Sequence, residues 1–249
     1  MNNKNEVEHE FKTVKAKKVI LPDNYKYFNQ NPLYLMFSVF VIWFVRIFFC
    51  FTIGLLFHRV KLRNKKILKQ FKKKGAVVVS NHVLQMDAFY IGSTLRPHKT
   101  WFSMLQSNLG LPFAGKLFRS AGAVPIPTKL DHLVEFNSQL KVAFGKGQKI
   151  LVYPEAVLKP YCDYIRPFKS GAFWWAAEND VPVIPIVITY RKPKRRKKPY
   201  VTITFLDPIY GGDIENKYER VGELKTRAFN AMDEHFNKYS EIKREVNHE

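Results

Sequence analysis

The sequence is poor in cysteine, and this scarcity argues against two classes of protein. Only two cysteines are present, Cys50 and Cys162, and they lie far apart. A disulfide framework needs several cysteines, and a zinc site needs cysteines or histidines paired a few residues apart. The sequence therefore favours a protein that folds in a reducing compartment without either.

Acidic residues are also scarce. There are 21 of them against 41 lysines and arginines, which gives a formal net charge of +20. Such an excess suits a polyanionic partner, which could be nucleic acid, an anionic membrane surface or an acidic carrier protein.

The sequence also lacks an internal repeat. A chain of 249 residues predicts one ordinary domain with additions, long enough for a sizeable core.

One long apolar block, residues 33–57, stands out from this basic background, and its single charge is Arg46. About 20 apolar residues cross a bilayer, so the block predicts a membrane anchor, with a buried helix of a soluble protein as the alternative. The block starts late, is long and lacks a small-residue cleavage site. A cleaved signal peptide is therefore not expected.

Basic residues flank the block on both sides. The positive-inside rule places both flanks in the cytoplasm, the second more strongly. Arg46 would be costly in a lipid-facing span. Both facts favour a monotopic or re-entrant anchor in the cell membrane, with the following domain facing the cytoplasm. The basic residues are Lys12, Lys15, Lys17, Lys18 and Lys26 before the block, and those from Arg59 to Lys74 after it.

Three flanking segments complete the predicted domain organisation. Residues 1–32 are polar and predict a short, partly helical arm, and residues 33–74 form the anchoring region. Within it, residues 58–74 are typical of an amphipathic helix on a membrane surface, with a solvated charged helix as the alternative. Residues 215–249 predict an amphipathic C-terminal helix. Its apolar positions are Val221, Leu224, Phe229, Met232 and Phe236, and those of 58–74 are Val60, Leu62, Ile67, Leu68 and Phe71.

From Gly75 onward, short apolar runs alternate with helical patterns, which indicates an α/β domain over residues 75–214. Thr128 with Asp131 predicts a capping box, and Pro185 predicts an edge strand or a bulge. Apolar and polar residues alternate in the last predicted strand, so one of its faces is expected to be more buried than the other. The predicted strands cover 76–80, 101–104, 122–126, 150–153, 183–189 and 200–206, and helices are predicted after Asp87, Pro112, Thr128 and Ser170.

The loop between the last two predicted strands, residues 191–199, is almost entirely basic. A solvated hairpin loop would show this composition. A second contact to anionic lipid or to an acidic acyl carrier would show it too.

The first predicted strand carries the strongest chemical signal. Its valines lead into Asn81 and His82, and Asp87 follows five positions later. Five residues along a straight helix turn the side chain by about 500°, so His82 and Asp87 can meet only if the chain bends between them. That arrangement gives a histidine base whose tautomer is fixed by a carboxylate. A core histidine beside a helix-start aspartate is the plainer interpretation of the same pattern.

Further blocks follow this pair in a fixed order. They are Gly122 to Thr128, Tyr153-Pro154-Glu155, Arg166 to Ala172 and the proline-containing run Val181 to Val187. The set resembles the glycerophospholipid acyltransferase family, in particular the lysophosphatidic acid acyltransferases, over roughly residues 60–215. The resemblance implies an α/β fold of the glycerolphosphate acyltransferase type. Such a fold is a mixed sheet flanked by helices, here with an N-terminal membrane-anchoring segment.

The resemblance also implies a mechanism. His82 would be the general base, oriented by Asp87, and would activate a lysophospholipid hydroxyl for direct attack on an acyl thioester. The donor would be acyl-CoA or an acylated carrier protein, and neither a metal nor another cofactor is expected. Phosphatidic acid made from lysophosphatidic acid would be the leading case. The implied substrate-binding residues are Asn81, Glu155, Lys129, Lys159, Arg166 and Lys169.

Two departures from the family pattern concern the acceptor phosphate. The usual third motif continues Glu-Gly-Thr-Arg, whereas this chain has Ala156, Val157 and Leu158 after Glu155. The second motif commonly ends in arginine, and Thr128 stands there instead, with Lys129 next. We expect Lys129, Lys159, Arg166 and Lys169 to supply the missing positive charge.

Three alternatives stay open on the sequence. The same chemistry could act on another lipid acceptor. A non-catalytic, basic membrane-binding scaffold would need no functional His82. A nucleic-acid binder would explain the charge, but it gives no role to the apolar block.

Overall fold

Seven strands form one mixed sheet in the computed structural model, which describes residues 17, 19–45, 47–48, 54, 58–95 and 100–243. The strands are β1 (Lys61–Arg63), β2 (Ala76–Ser80), β3 (Thr100–Leu105), β4 (Ala123–Ile126), β5 (Lys149–Val152), β6 (Val183–Arg191) and β7 (Tyr200–Phe205). Their order across the sheet is β1-β7-β6-β2-β5-β3-β4. Neighbouring strands are parallel except β6 and β7, which are antiparallel. The predicted α/β architecture is confirmed.

In the described part of the chain, six α-helices cover the two faces of the sheet. They are α1 (Pro32–Val45), α2 (Asp87–Thr94), α3 (Ala114–Ser120), α4 (Leu130–Gly145), α5 (Gly171–Glu178) and α6 (Lys217–Tyr239), with 3₁₀ helices at Lys65–Phe71 and Gln106–Gly110. The helices α1, α2 and α3 pack together, and α5 packs between α4 and α6. Right-handed crossovers that run in opposite directions along a sheet place their helices on opposite faces. The two groups therefore cover opposite sides.

The centre of the sheet is β2, and its position determines where a ligand can bind. All five of its residues are buried, as the run of valines predicts. Val79 pairs with Val152 of β5 on one side and with Pro185 of β6 on the other. The chain first leaves β2 toward β3 and later returns through β5 to reach β6. In open α/β sheets, such a reversal opens a crevice at the carboxyl ends of the central strands.

The N-terminal flank differs from its prediction. The described part of the arm contains no helix before α1, and Leu21, Tyr27 and Phe28 are buried in the main core. Residues 58–74 do not form a surface helix: Leu62 lies in β1, which pairs with β7, and a 3₁₀ helix follows. That prediction was wrong because the three-residue edge strand is too short to show a period. The boundaries at residues 32, 74 and 214 stay predictions.

Two local predictions need correction. The helix α4 is present, but Lys129 precedes it and no side chain caps its first turn, so Thr128 forms no capping box. Strand β6 is not an edge strand, because it lies between β7 and β2. The register does shift by one residue beside Pro185, from the Ile186–Phe205 pair to the Val183–Ile209 pair, as the bulge alternative predicts. The Pro185 carbonyl oxygen accepts from the Leu206 N–H at 2.9 Å, just beyond the first residue pair of β6 and β7. The N–H that Pro185 lacks would therefore lie at the end of the β6–β7 pairing, so the proline removes no hydrogen bond from within it.

The last strand and the C-terminal helix follow the sequence in part. Both faces of β7 are buried, including Thr202 and Thr204, because β7 has neighbours on both sides and the fold covers both of its faces. The predicted C-terminal helix is confirmed as α6, and Asn216 caps its first turn by accepting from two backbone N–H groups. The predicted apolar positions of α6 face the core as expected, although Phe229 is only half-buried.

The first helix, α1, has one face packed and one face exposed. Val41, Ile42 and Val45 pack against α2 and α3. Among the described residues, no helix combines the length and the apolar character needed to cross a bilayer. Arg46 lies outside the described residues. The exposed face is nevertheless apolar, with side chains 54–75% exposed at Leu33, Met36, Phe37, Phe40, Trp43 and Phe44.

Candidate active site

The chain bends after β2 as the His82–Asp87 spacing requires. Strand β2 ends at Ser80, and Asp87 is the first residue of α2. The bend places Nδ1 of His82 at 2.9 Å from Oδ2 of Asp87. The aspartate side chain is fully buried, whereas that of His82 is 23% exposed. The pair thus combines a carboxylate shielded from water with an imidazole that substrate can reach.

The carboxylate of Asp87 also holds the bend itself. Its Oδ2 accepts from the backbone N–H groups of Val83 at 3.2 Å and Leu84 at 3.3 Å. An ionised carboxylate can only accept hydrogen bonds, so Nδ1 of His82 carries the proton that it donates to Asp87. The other ring nitrogen, Nε2, then has a free lone pair. His82 is therefore fixed in the tautomer that can take a proton from a hydroxyl.

Tyr153 supports the imidazole from the neighbouring strand. It directly follows β5, which pairs with β2, and its ring stacks on His82 with centroids 4.0 Å apart and planes 17° apart. The Tyr153 hydroxyl and Oδ1 of Asp87 are both buried, and within the part of the chain that the structure describes neither makes a hydrogen bond of normal geometry. Burial, and then the nearby Asp87 carboxylate, raise the pKa of Tyr153 well above its ordinary value. The phenol therefore stays neutral.

Glu155 joins the ends of β2 and β5 to the loop that follows. Its Oε2 accepts from the His82 backbone N–H at 3.1 Å, and its Oε1 accepts from the Arg166 backbone N–H at 3.0 Å. The Arg166 side chain donates to Oε2 through Nε at 3.1 Å and Nη2 at 2.6 Å. Arg166 also donates to the carbonyl oxygens of His82 and Val157. Both oxygens of the fully buried carboxylate are thus occupied by the chain itself.

With this geometry, the chain can be compared with known proteins. An acyltransferase family model matches residues 38–189. This chain belongs to the acyltransferase family. It is 26% identical over 149 residues to a 1-acyl-sn-glycerol-3-phosphate acyltransferase of Limnanthes douglasii, covering 57% of this chain and 52% of that protein. The chain therefore spans about half the length of that curated relative.

Two further comparisons extend over more of the acyltransferase. It is 30% identical over 201 residues to an uncharacterised acyltransferase of Schizosaccharomyces pombe, covering 75% of this chain and 70% of that protein. The crystal structure of PlsC, the 1-acyl-sn-glycerophosphate acyltransferase of Thermotoga maritima, aligns with a TM-score of 0.55 at 19% identity. That alignment covers 85% of this chain and 98% of PlsC. At this identity, the structural match supports the fold alone.

Asn81 lies inside the acyltransferase rather than on its surface. Its side chain donates to the Ile188 carbonyl oxygen at 3.0 Å and accepts from the Ile188 N–H at 2.9 Å. The residue is fully buried, and these bonds tie the end of β2 to β6. The position does not fit the predicted substrate contact. It fits a support that holds the residue before His82.

The predicted cationic ligands fall into three different environments. The Arg166 guanidinium is paired with Glu155. Lys159 and Lys169 have exposed side chains, and their backbone N–H groups donate to the carbonyl oxygens of His82 at 3.1 Å and Pro154 at 2.8 Å. Lys129 lies instead beside β4, where it lines a cavity of about 250 Å³ together with Gln106 and other residues. The structure therefore brings Arg166, Lys159 and Lys169 to the catalytic edge but places Lys129 in a separate cavity.

Proposed function

We propose that this acyltransferase moves a fatty acyl group from a thioester donor to the free hydroxyl of a lysophospholipid. The leading case is the conversion of lysophosphatidic acid to phosphatidic acid. The observation that carries the proposal is the 2.9 Å bond between His82 and Asp87, which leaves Nε2 of His82 as a base at the exposed edge of the sheet. The Limnanthes douglasii relative, named for this reaction, supports the choice of acceptor.

The proposed reaction needs no covalent intermediate on the enzyme. His82 Nε2 takes the proton of the acceptor hydroxyl as its oxygen attacks the thioester carbonyl, and Asp87 stabilises the imidazolium that forms. The tetrahedral intermediate then collapses, the carbon–sulfur bond breaks, and the imidazolium returns the proton to the leaving sulfur. The products are the ester and a free thiol. The donor is acyl-CoA or an acylated carrier protein, and no metal or other cofactor enters the scheme.

For the acceptor phosphate, we infer that Lys159 and Lys169 are the contacts. Both side chains are exposed, and both backbones are bonded to the segments that carry His82 and Glu155. Arg166 contributes less directly, because Glu155 and two carbonyl oxygens already occupy Nε and Nη2. In this proposal, Glu155 and Asn81 position the site rather than touch the acceptor.

We further propose that the exposed apolar face of α1 rests in the membrane interface. A large apolar side chain gains about 1.5–3 kcal/mol when it leaves water, so six along one helix face form a strong anchor. A helix with one packed face and one exposed apolar face supports a monotopic or re-entrant anchor in the cell membrane. The basic residues on both sides of the apolar block favour a catalytic domain on the cytoplasmic side. A lipid acceptor would then reach His82 without leaving the bilayer.

Product mass spectrometry on the detergent-purified chain tests the function. Lysophosphatidic acid is offered with acyl-CoA and, separately, with acylated carrier protein, and His82→Ala serves as the control. We expect phosphatidic acid from the wild type and a loss of about 10²–10⁴-fold in His82→Ala, as for loss of a general base. Folded wild type that gives no product with either donor would contradict the proposal. Unchanged turnover in His82→Ala would contradict the mechanism.

A different lipid acceptor is the second candidate, and one observation favours it. Leu158 occupies the place of the usual motif arginine, and the nearest arginine, Arg166, is bonded to Glu155. A panel of lysolipids with and without a terminal phosphate separates the two. We expect the phosphate-bearing acceptor to be preferred, with that preference reduced in Lys159→Ala and Lys169→Ala. Equal turnover of a phosphate-free acceptor would favour the second candidate.

A further inference from the structure

The connection between β6 and β7, residues 192–199, is the most concentrated charge on the molecule, and we call it the basic loop. It contains six lysines and arginines, two prolines and no acidic residue. Five of the six cationic residues are exposed, and Arg196 is partly buried against the Tyr200 ring. Like charges this close repel one another, so the loop costs free energy unless an anion offsets it.

The protein itself supplies little of that offset. Within the described residues, none of the ion pairs involves a basic-loop side chain. Glu241 is nearby, but it accepts from the Lys192 backbone N–H at 2.7 Å, at the base of the loop. The Arg196 guanidinium donates inward to the Lys198 carbonyl oxygen at 2.9 Å. The exposed lysines at the tip are therefore available to an external partner.

The basic loop lies at the same edge of the sheet as the active site. Strand β6 is parallel to β2, so both carboxyl ends leave the sheet together. The loop lies close to His58, because the guanidinium groups of Arg59 and Arg196 lie over the same Tyr200 ring. Burial, and then the charges of Arg196 and Lys198, lower the pKa of His58. The His58 ring bonds to the Tyr161 hydroxyl at 3.4 Å, and the Tyr161 N–H donates to the Val83 carbonyl oxygen at 3.1 Å. A short series of contacts thus connects the loop to the residue after His82.

The basic loop also lies close to Arg59, which follows the apolar block in the sequence. Arg191 donates to the Arg59 carbonyl oxygen at 2.5 Å. The Arg59 guanidinium lies 5.0 Å from the centroid of the Tyr200 ring, and that of Arg196 lies 5.4 Å from the same centroid. Arg59 follows the apolar block by two residues. In sequence, the charge therefore lies close to the end of the apolar block, which the sequence predicts to be a membrane anchor.

From this placement we propose that the basic loop docks on anionic lipid headgroups and turns the active-site edge toward the bilayer. The inference rests on the proposed membrane interface. The charges are solvated lysines and arginines spread along an exposed loop, an arrangement that suits a diffuse anionic surface. A discrete phosphate site would instead gather donors around one point. Lysines and arginines near an anionic membrane surface each contribute severalfold to binding.

Vesicle flotation of the full chain tests the proposal. The Lys194→Glu/Lys197→Glu variant is compared with Lys141→Glu/Lys146→Glu, which changes the charge equally at exposed positions in and just after α4. The vesicles contain phosphatidylcholine alone or mixed with phosphatidylglycerol. We expect the basic-loop variant to bind the anionic vesicles at least about 25-fold more weakly, from about fivefold for each of the two lost cations, because the two added carboxylates weaken binding further. Binding to neutral vesicles and binding of the control variant should stay as in the wild type.

Two results would overturn the proposal. One is that the basic-loop variant binds anionic vesicles as tightly as the wild type does. The other is that its binding to neutral vesicles falls as much as its binding to anionic vesicles. If vesicle binding is unchanged but the KM for the donor rises in neutral detergent micelles, the loop serves the donor instead. Turnover in those micelles also separates this proposal from the proposed function. A wild type that floats with anionic vesicles but forms no product would contradict the function alone.

Discussion

Around His82, polar side chains are buried and bonded to each other, whereas along α1 apolar side chains lie exposed. Asp87, Glu155 and Asn81 have almost no exposed surface, and their hydrogen bonds join β2 to its neighbours. On α1, Phe40 and Trp43 are more than half exposed. Buried polar groups hold one geometry because each broken bond costs free energy. An apolar surface has no directional requirement, so it can follow a moving bilayer. The contrast separates a rigid catalytic edge from a compliant attachment.

The largest effect is expected from a substitution at Asp87, in the catalytic edge. In Asp87→Asn, the amide can donate toward Nδ1, which then accepts and shifts the ring proton to Nε2. The base is lost, and kcat should fall by about 10³–10⁴-fold. Steady-state kinetics with the donor and acceptor identified by mass spectrometry measure this change. Vesicle binding serves as the internal control and should not change. A kcat within tenfold of the wild type would contradict the role of Asp87.

Removing Arg166 tests how rigid the same edge is. Arg166→Ala leaves the fully buried Glu155 carboxylate without its charged partner, which should lower the free energy of unfolding by about 3–5 kcal/mol. Lys169→Ala, at an exposed position on the same loop, is the matched control and should change it by less than about 0.5 kcal/mol. Denaturant unfolding measures both. Equal stability of the two variants would mean that the ion pair does not brace the site.

The attachment side is tested on α1. Phe40→Glu/Trp43→Glu should reduce binding to neutral vesicles by about 100-fold or more, because two large apolar contacts are lost. Val134→Glu/Val142→Glu changes two exposed apolar residues of α4, on the opposite face, and is the matched control. Flotation measures binding, and turnover in detergent micelles should be retained by both variants. Loss of turnover in the α1 variant alone would mean that α1 also shapes the site.

A smaller effect separates the ring of Tyr153 from its hydroxyl. Tyr153→Phe keeps the stack on His82 and removes a buried hydroxyl without a hydrogen bond of normal geometry, so the free energy of unfolding should rise by up to about 1 kcal/mol with little change in kcat. Tyr153→Ala removes the stack and should cost about 3 kcal/mol or more. Since the pKa of Tyr153 is raised, neither the wild type nor Tyr153→Phe should show a pH limb from this group near neutrality. A large kcat loss in Tyr153→Phe would assign the hydroxyl a direct role.

The smallest effect is a gain in stability from a substitution at Ala156, beside Glu155. Ala156 has φ of +65°, in the left-handed region that glycine adopts without strain. Ala156→Gly should therefore raise the free energy of unfolding by about 1 kcal/mol, measurable as a Tm increase of about 2–4 °C. Ala156→Val, with a β-branched side chain at the same backbone angle, is the opposing control and should lower the Tm. A lower Tm for the glycine variant would show that the loop is not strained at this position.

The sequence predicted those features that short-range patterns determine. The run of valines in β2 and the need for a bend between His82 and Asp87 both follow from local geometry. The Glu155–Arg166 ion pair could not be recognised, because the ten residues between the two form an irregular loop, which has no period. The inward position of Asn81 was missed because its partner, Ile188, lies on a strand more than a hundred residues away. Tyr153 did leave a signal, since an aromatic residue ends a strand beside the proline and Glu155.

The Glu155–Arg166 ion pair also closes residues 156–165 into a loop at their base. The catalytic bend therefore depends on this ion pair as well as on the contacts made by residues 156–165. Doubling the length of such a loop costs only about 0.6 kcal/mol in closure entropy. Acceptor choice can therefore be altered by insertions at exposed positions of this loop, provided that the Lys159 and Tyr161 bonds to the carbonyl oxygens of His82 and Val83 are kept.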